Sequence, residues 1–161
     1  MSDGHRWLAI YLQDHYASAV AGAALFHRVA GSHSDPTVRR AVADLAAEVD
    51  GDRRDLEEIM KVLSIPHNKV KENLAWGAEK LGRLVTNGAI FRRSPLTDVV
   101  ELEALSLAVE GKALGWKTML TLAVSERRLD VGQIQALLDR AVLQQSRLEE
   151  LRLARARKTF G

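Results

Sequence analysis

The apolar residues of this chain recur every three or four positions through four long segments, and no segment alternates polar and apolar residues with a period of two. A spacing of three and four places side chains on one face of an α-helix, whereas a half-buried strand requires alternation. The sequence therefore predicts an all-α protein. The most regular stripe lies in the second segment and consists of Val38, Val42, Leu45, Val49, Leu56, Ile59 and Leu63.

Short capping sequences mark the breaks between the predicted helices. Pro36 follows Asp35, and Pro95 follows Ser94, which is typical of an N-cap followed by proline in the first helical turn. Asp130 is predicted to cap the last helix as part of a capping box. These signals predict helices over residues 7–30, 37–63, 69–87, 96–124 and 131–158.

The lengths of the connections predict how these helices are arranged. Roughly six residues join the helices within each of two pairs, which favours two antiparallel hairpins. A connection of about 30 residues, which holds the short helix predicted over 69–87, separates the hairpins. We therefore expect a single domain over residues 1–161, folded as a ferritin-like four-helix bundle with a short additional helix in the long crossover between helices 2 and 3.

Composition excludes several kinds of site. The chain has no cysteine, which excludes disulfides, a thiol nucleophile and cysteine-based metal centres. Its 23 basic and 21 acidic residues leave a formal charge of +2, an excess too small to favour nucleic-acid binding. No apolar run approaches the about 18 residues of a membrane span, and the charged N-terminus does not match a signal peptide. We therefore expect a cytoplasmic protein with neither a membrane nor a nucleic-acid partner.

Polar residues interrupt the apolar stripes at two places. His15 lies midway along the first stripe, and Asp52 occupies a position that the second stripe otherwise fills with apolar residues. Glu48 lies one turn before Asp52, and Glu110 shares a stripe of the third long helix with Glu103. The sequence leaves open whether that last stripe faces solvent or the core. Because a buried carboxylate needs a cation, a hydrogen-bond donor or a metal, the candidate ligands of one iron, manganese or zinc ion are His15, Glu48, Asp52 and Glu110.

The alternative at this place is a buried network of ion pairs without a metal, closed by His15, Lys112 or an arginine such as Arg53. A di-iron bundle carries a Glu-x-x-His motif on two helices. Here Glu48 is followed at that spacing by Gly51, and the fourth long helix has no histidine. We therefore favour the ion-pair network, with no cofactor and no enzymatic activity.

The third long helix is apolar around nearly its whole circumference, with Leu107 and Leu114 on one side and residues such as Trp116 on the other. This pattern predicts that neighbouring helices cover it on two sides. Gly111 and Gly115 lie four residues apart on the same helix, where small residues would allow another backbone to approach closely.

Four stretches of the chain resemble a family of small, uncharacterised bacterial proteins placed near the ferritin-like superfamily: YLQDHYASAVAGAAL, LAAEVDGDRRDLEEIM, AWGAEKLGRL and VELEALSLAVEGKALGW. The resemblance covers about Leu8 to Arg157. It implies a four-helix bundle, a homodimer and, in some relatives, a carboxylate-bridged metal pair, but no established activity. The ligand pattern of the superfamily fails to match at Gly51 and along the fourth long helix, so oxidase, peroxidase and iron-storage activities are not implied.

The sequence thus predicts a non-enzymatic structural or interaction protein with a buried polar network in place of a di-iron centre. The exposed residues of the short helix and Trp76 are its candidate interface. One alternative is a metal-binding or stress-related protein that holds a single ion through the four ligands named above. Another is a nucleic-acid-associated protein that uses the basic C-terminal residues, which we otherwise expect to form a solvated helix face: Arg147, Arg152, Arg155, Arg157 and Lys158.

Overall fold

A computed structural model describes residues 3–66 and 93–161, and these residues form four long helices without strands. The helices are α1 over Asp3–Ser32, α2 over Pro36–Val62, α3 over Pro95–Ala123 and α4 over Val131–Phe160. The all-helical prediction is confirmed for this part of the chain, although α1 begins four residues earlier than expected. The helix predicted over 69–87, together with Trp76, lies outside the described residues. None of the helices described is long and apolar enough to cross a membrane.

Three of the four helices begin at side chains that cap them. The Asp35 carboxylate accepts a hydrogen bond from the backbone N–H two residues later at 2.8 Å. Ser94 and Thr97 form a reciprocal capping box. Asp130 accepts a hydrogen bond from the backbone N–H three residues later at 2.9 Å. Each cap satisfies a backbone donor that the first turn of a helix leaves unpaired, so the predicted helix starts are confirmed.

The helices form two antiparallel hairpins, as the connection lengths predict. α1 packs against α2 through the connection 33–35, and α3 packs against α4 through the connection 124–130. The hairpins meet closely along α1 and α3 and more loosely along α2 and α4. The Tyr11 hydroxyl donates to Thr118 Oγ1 at 3.0 Å near one end, and Ser34 reaches Asp98 near the other. α1 and α3 therefore run in opposite directions.

The core consists mainly of the apolar faces that the spacing predicts. All seven residues of the α2 stripe are buried, as are Phe26 of α1 and Leu148 of α4. α3 differs from the prediction. Trp116 is buried, but Leu107 and Leu114 remain 56% and 52% exposed. The prediction that neighbouring helices cover this side of α3 is therefore wrong at these two positions, although α1 and α4 pack against other parts of α3.

Candidate functional site

Asp52 lies near the middle of α2 with its side chain in the core, where it is 1% exposed. This confirms the inward position that the apolar stripe assigns to it. Lys112 of α3 donates from Nζ to Asp52 Oδ2 at 2.5 Å, and Arg140 of α4 donates from Nη1 to Oδ1 at 2.6 Å. Gln144 adds a hydrogen bond from Nε2 to Oδ2 at 3.1 Å. Each carboxylate oxygen therefore accepts a hydrogen bond from a cationic side chain.

Gln144 extends these contacts from Asp52 to Glu48. Its side chain is fully buried, and its Oε1 accepts a hydrogen bond from Lys112 Nζ at 2.5 Å. Its Nε2 donates to Glu48 Oε2 at 3.1 Å, while Arg147 Nη1 donates to Glu48 Oε1 at 2.5 Å. The contacts join α2, α3 and α4. We call the following residues the midpoint network: Glu48, Asp52, Lys112, Arg140, Gln144 and Arg147.

Burial and charge act in opposite directions on the ionisable groups of the midpoint network. Burial lowers the pKa of Lys112, and the neighbouring Asp52 opposes this shift without cancelling it. Burial acts to raise the pKa of Glu48, but hydrogen bonds from Arg147 and Gln144 outweigh it and lower that pKa overall. Glu48 is therefore held ionised, whereas the charge on Lys112 depends on its contact with Asp52.

Of the four predicted ligands, the structure brings only Glu48 and Asp52 into the midpoint network. His15 of α1 has no hydrogen-bond partner among the described residues, and burial lowers its pKa, which favours the neutral ring. Glu110 is exposed and accepts a hydrogen bond from Gln145 Nε2 at 2.8 Å. The stripe of α3 that carries Glu110 therefore faces solvent at this position.

This arrangement does not fit a di-iron centre. Both oxygens of Asp52 and the Oε1 of Glu48 already accept hydrogen bonds from cationic side chains, and Glu48 Oε2 accepts one from the Gln144 amide. Glycine occupies position 51, where a di-iron bundle carries the histidine of Glu-x-x-His, so that ligand is missing. Within residues 3–66 and 93–161, no group of three or more His, Cys, Asp or Glu side chains is placed to hold a metal ion. Binding of a single iron, manganese or zinc ion stays a prediction.

The sequence indicates one cationic partner of Asp52 and misses the other. Lys112 is confirmed as a partner. Arg53 instead donates to the Tyr16 hydroxyl at 3.3 Å, and the guanidinium at Asp52 belongs to Arg140. A signal was present on α4, because Arg140 and Gln144 lie four residues apart and so share one helix face. What the spacing does not give is the rotation that turns this face towards α2.

A second buried polar cluster lies where the connection between α1 and α2 meets the start of α3. Asp98 is fully buried and accepts hydrogen bonds from the Ser34 hydroxyl and from Arg93 Nε at 2.9 Å. Arg155 Nη2 of α4 lies 2.6 Å from Asp98 Oδ2. Glu101, 4% exposed, accepts a hydrogen bond from Arg93 Nη2 at 2.6 Å. Two carboxylates thus face two guanidinium groups, and the solvated face expected for the C-terminal basic residues is wrong at Arg155.

His33 is fully buried beside this cluster, although the sequence places it in a connection. Its Nδ1 accepts a hydrogen bond from the Asp35 backbone N–H at 3.1 Å, and its carbonyl oxygen accepts one from Arg39 Nη1 at 2.7 Å. Its Nε2 lies 3.9 Å from Asp98 Oδ1 and has no hydrogen-bond partner among the described residues. Burial lowers the pKa of His33, and Asp98 opposes this shift without cancelling it, so the neutral ring is favoured.

A cavity of about 310 Å³ lies between α1, α2 and α3, beside the midpoint network. Gly111 lines it, and apart from the adjoining residues and backbone of its own helix no atom lies within 4 Å of the place where a Cβ would lie, so the predicted close approach is wrong at Gly111. At Gly115 the group that approaches closely is the His15 side chain and not another backbone, because a Cβ there would lie 3.0 Å from His15 Nδ1. The polar residues that line the cavity are His15, Ser18, Asp52, Arg53 and Lys112.

The midpoint network and the adjoining cavity together form the candidate functional site of the described residues. Comparisons of the chain with models of protein families, with curated proteins and with solved structures find no match. The resemblance to a ferritin-like family therefore stays a prediction.

Proposed function

We propose that this chain is a non-enzymatic structural and interaction protein, in which the midpoint network takes the place of a di-iron centre. The observation that carries the proposal is the pairing of both Asp52 oxygens with the basic side chains of Lys112 and Arg140. A metal ion at Asp52 would add a further positive charge beside these two cations, and displacing either cation would leave a buried charge without compensation. The Asp52 carboxylate therefore holds the helices together through its ion pairs and takes no part in catalysis.

The location of the network supports a structural role. Asp52 and Glu48 belong to the first hairpin, and their partners Lys112, Gln144 and Arg147 belong to the second. Each of these hydrogen bonds to Asp52 or Glu48 therefore joins the two hairpins. An ion-pair network at such a place favours one specific arrangement of the helices over others with a similar apolar core.

The proposal includes a homodimer in the cytoplasm. Leu107 and Leu114 support the dimer, because they are more than half exposed and lie seven residues apart on one face of α3. Sedimentation velocity should show a dimer that Leu107→Glu together with Leu114→Glu dissociates. A monomer at every concentration would contradict this part of the proposal.

Metal content tests the main proposal. The untagged protein is purified, incubated separately with iron, manganese and zinc salts, desalted and examined by elemental analysis. We expect far less than one ion per chain in each case, and the same result for Asp44→Ala, an exposed control on α2. A stoichiometric ion that is lost in both His15→Ala and Asp52→Asn would overturn the proposal and establish the single-ion alternative.

A further inference from the structure

The cavity beside the midpoint network has the size and walls of a small-molecule site. Its volume of about 310 Å³ falls at the lower end of the about 300–1,000 Å³ that is usual for such sites. The apolar part of its wall comes from three helices, which makes it suited to an aliphatic or aromatic group. This part of the wall includes Leu12, Phe26, Val49, Leu56, Val109 and Met119.

The charges at the cavity favour a ligand with an acidic head. Two cations, Lys112 and Arg53, and one anion, Asp52, line it among the described residues. Arg53 also has contacts of its own, because its Nη1 lies 3.7 Å from Glu57 Oε2 and donates to the Tyr16 hydroxyl. Both Asp52 oxygens already accept hydrogen bonds from cations, so this carboxylate has little capacity left for a positively charged ligand. Lys112 donates to Asp52 and Gln144, which accounts for two of the three N–H bonds of its ammonium group.

His15 adds a polar group to the same wall. Its ring lines the cavity and has no hydrogen-bond partner among the described residues. A neutral imidazole provides one N–H donor. His15, Lys112 and Arg53 therefore offer donors around a mainly apolar space, and the complementary ligand has an apolar tail and an oxygen-rich, negatively charged head.

We propose that this cavity binds a small amphipathic carboxylate, of which a medium-chain carboxylic acid is the simplest example. The inference rests on the proposed non-enzymatic role and names a ligand class for it. The tail occupies the apolar space between α1, α2 and α3, and the head lies at Arg53 and Lys112. Neither covalent chemistry nor a cofactor is involved.

Isothermal titration calorimetry with a matched series of ligands tests this assignment. Decanoate, decanol and decylammonium share one tail and differ in the charge of the head. We expect decanoate to bind at one site per chain and decylammonium to bind at least about tenfold more weakly, with decanol between them. Shortening decanoate to octanoate should weaken binding by roughly tenfold, because two methylene groups leave the apolar wall.

Two pairs of variants locate the site. Gly111→Leu fills the cavity and should abolish decanoate binding, whereas Gly31→Leu, at an exposed glycine of α1 that also faces open space, should retain it. Arg53→Gln should weaken decanoate binding and leave decanol binding unchanged. The control Arg54→Gln, at an exposed neighbour outside the cavity, should bind both ligands as the unaltered protein does.

The results separate this inference from the proposed function. Absence of decanoate binding, equal affinity for decanoate and decylammonium, or full binding in Gly111→Leu would overturn the cavity assignment, whatever the metal content. Stoichiometric metal uptake in the earlier experiment would overturn the non-enzymatic proposal, while saturable decanoate binding that Gly111→Leu abolishes would still establish the ligand site.

Discussion

The imidazole ring of His15 on α1 lies directly against the backbone of Gly115 on α3. A Cβ at Gly115 would come within 3.0 Å of His15 Nδ1 and 3.1 Å of its Cε1. The same ring also contacts Tyr11, whose ring centroid lies 4.5 Å from that of His15. The His15 ring therefore contacts both Tyr11 of its own helix and the α3 backbone. Any side chain larger than that of glycine at position 115 would crowd this ring.

Alanine substitutions at the two glycines of α3 should therefore differ in effect. Gly111→Ala should raise the free energy of unfolding by about 0.5–1 kcal/mol, because alanine favours the helix and finds open space. Gly115→Ala gains the same helix propensity but crowds His15, and should be about 1–3 kcal/mol less stable than Gly111→Ala. Urea denaturation measures both. Equal stabilities would contradict the close packing at Gly115.

Removing the Asp52 carboxylate should be strongly destabilising. Asp52→Ala leaves Lys112 buried without its main partner, and we expect a loss of about 3–5 kcal/mol in the free energy of unfolding. The exposed control Asp44→Ala should change it by no more than about 0.5 kcal/mol. Replacing both partners, in Asp52→Leu with Lys112→Leu, should recover much of the loss. A small effect of Asp52→Ala would contradict a buried, paired Asp52.

The cluster around Asp98 gives a second matched pair of variants. Arg155→Ala removes one of the two guanidinium groups at the fully buried Asp98, and should cost about 1.5–3 kcal/mol, the range for a hydrogen bond to a charged group. Arg157→Ala, on the exposed side of the same helix, should cost no more than about 0.5 kcal/mol. Thermal or urea unfolding distinguishes them. Similar losses would mean that Arg155 is solvated.

Stability should fall as the pH decreases below the ordinary histidine pKa of 6.5. Burial lowers the pKa of both His15 and His33 in the folded chain, so the unfolded chain binds more protons in this range. The contribution of each ring is therefore complete above pH 6.5 and is lost progressively below it. Urea midpoints between about pH 7.5 and pH 5.5 measure the slope.

A double variant checks the origin of this slope. His33→Asn preserves an acceptor for the Asp35 N–H, and together with His15→Asn it should make the midpoint nearly independent of pH in this range. An unchanged slope in the double variant would assign the pH dependence to other groups.

The contrast between Asp52 and Arg140 shows what the sequence could reveal. Asp52 interrupts a regular stripe, and the position of a residue in a stripe is a local property of one helix. Arg140 lies 88 residues further along the chain, and its contact with Asp52 depends on how α4 is rotated and offset against α2. Periodicity defines which face of a helix is apolar, but it does not define these two quantities.

His33 shows the same limit in a connection. A polar residue between two helices is normally expected at the surface. Here only residues 33–35 separate α1 from α2, and the start of α3 and the Arg155 side chain of α4 pack near this short turn. Its burial is a result of tertiary packing, and no pattern within α1 or α2 encodes it.

The partners of Asp52 have a consequence for how the chain folds. Lys112, Arg140 and Gln144 all belong to the second hairpin, so Asp52 gains its charge partners only when the two hairpins pack together. Neither hairpin contains the whole network, so we expect the two hairpins to unfold together in one cooperative transition. A slip of α4 by a single turn along α2 would separate several ion pairs at once. The network thereby fixes the longitudinal register of the bundle, which an apolar core of interchangeable leucines and valines would leave loosely defined.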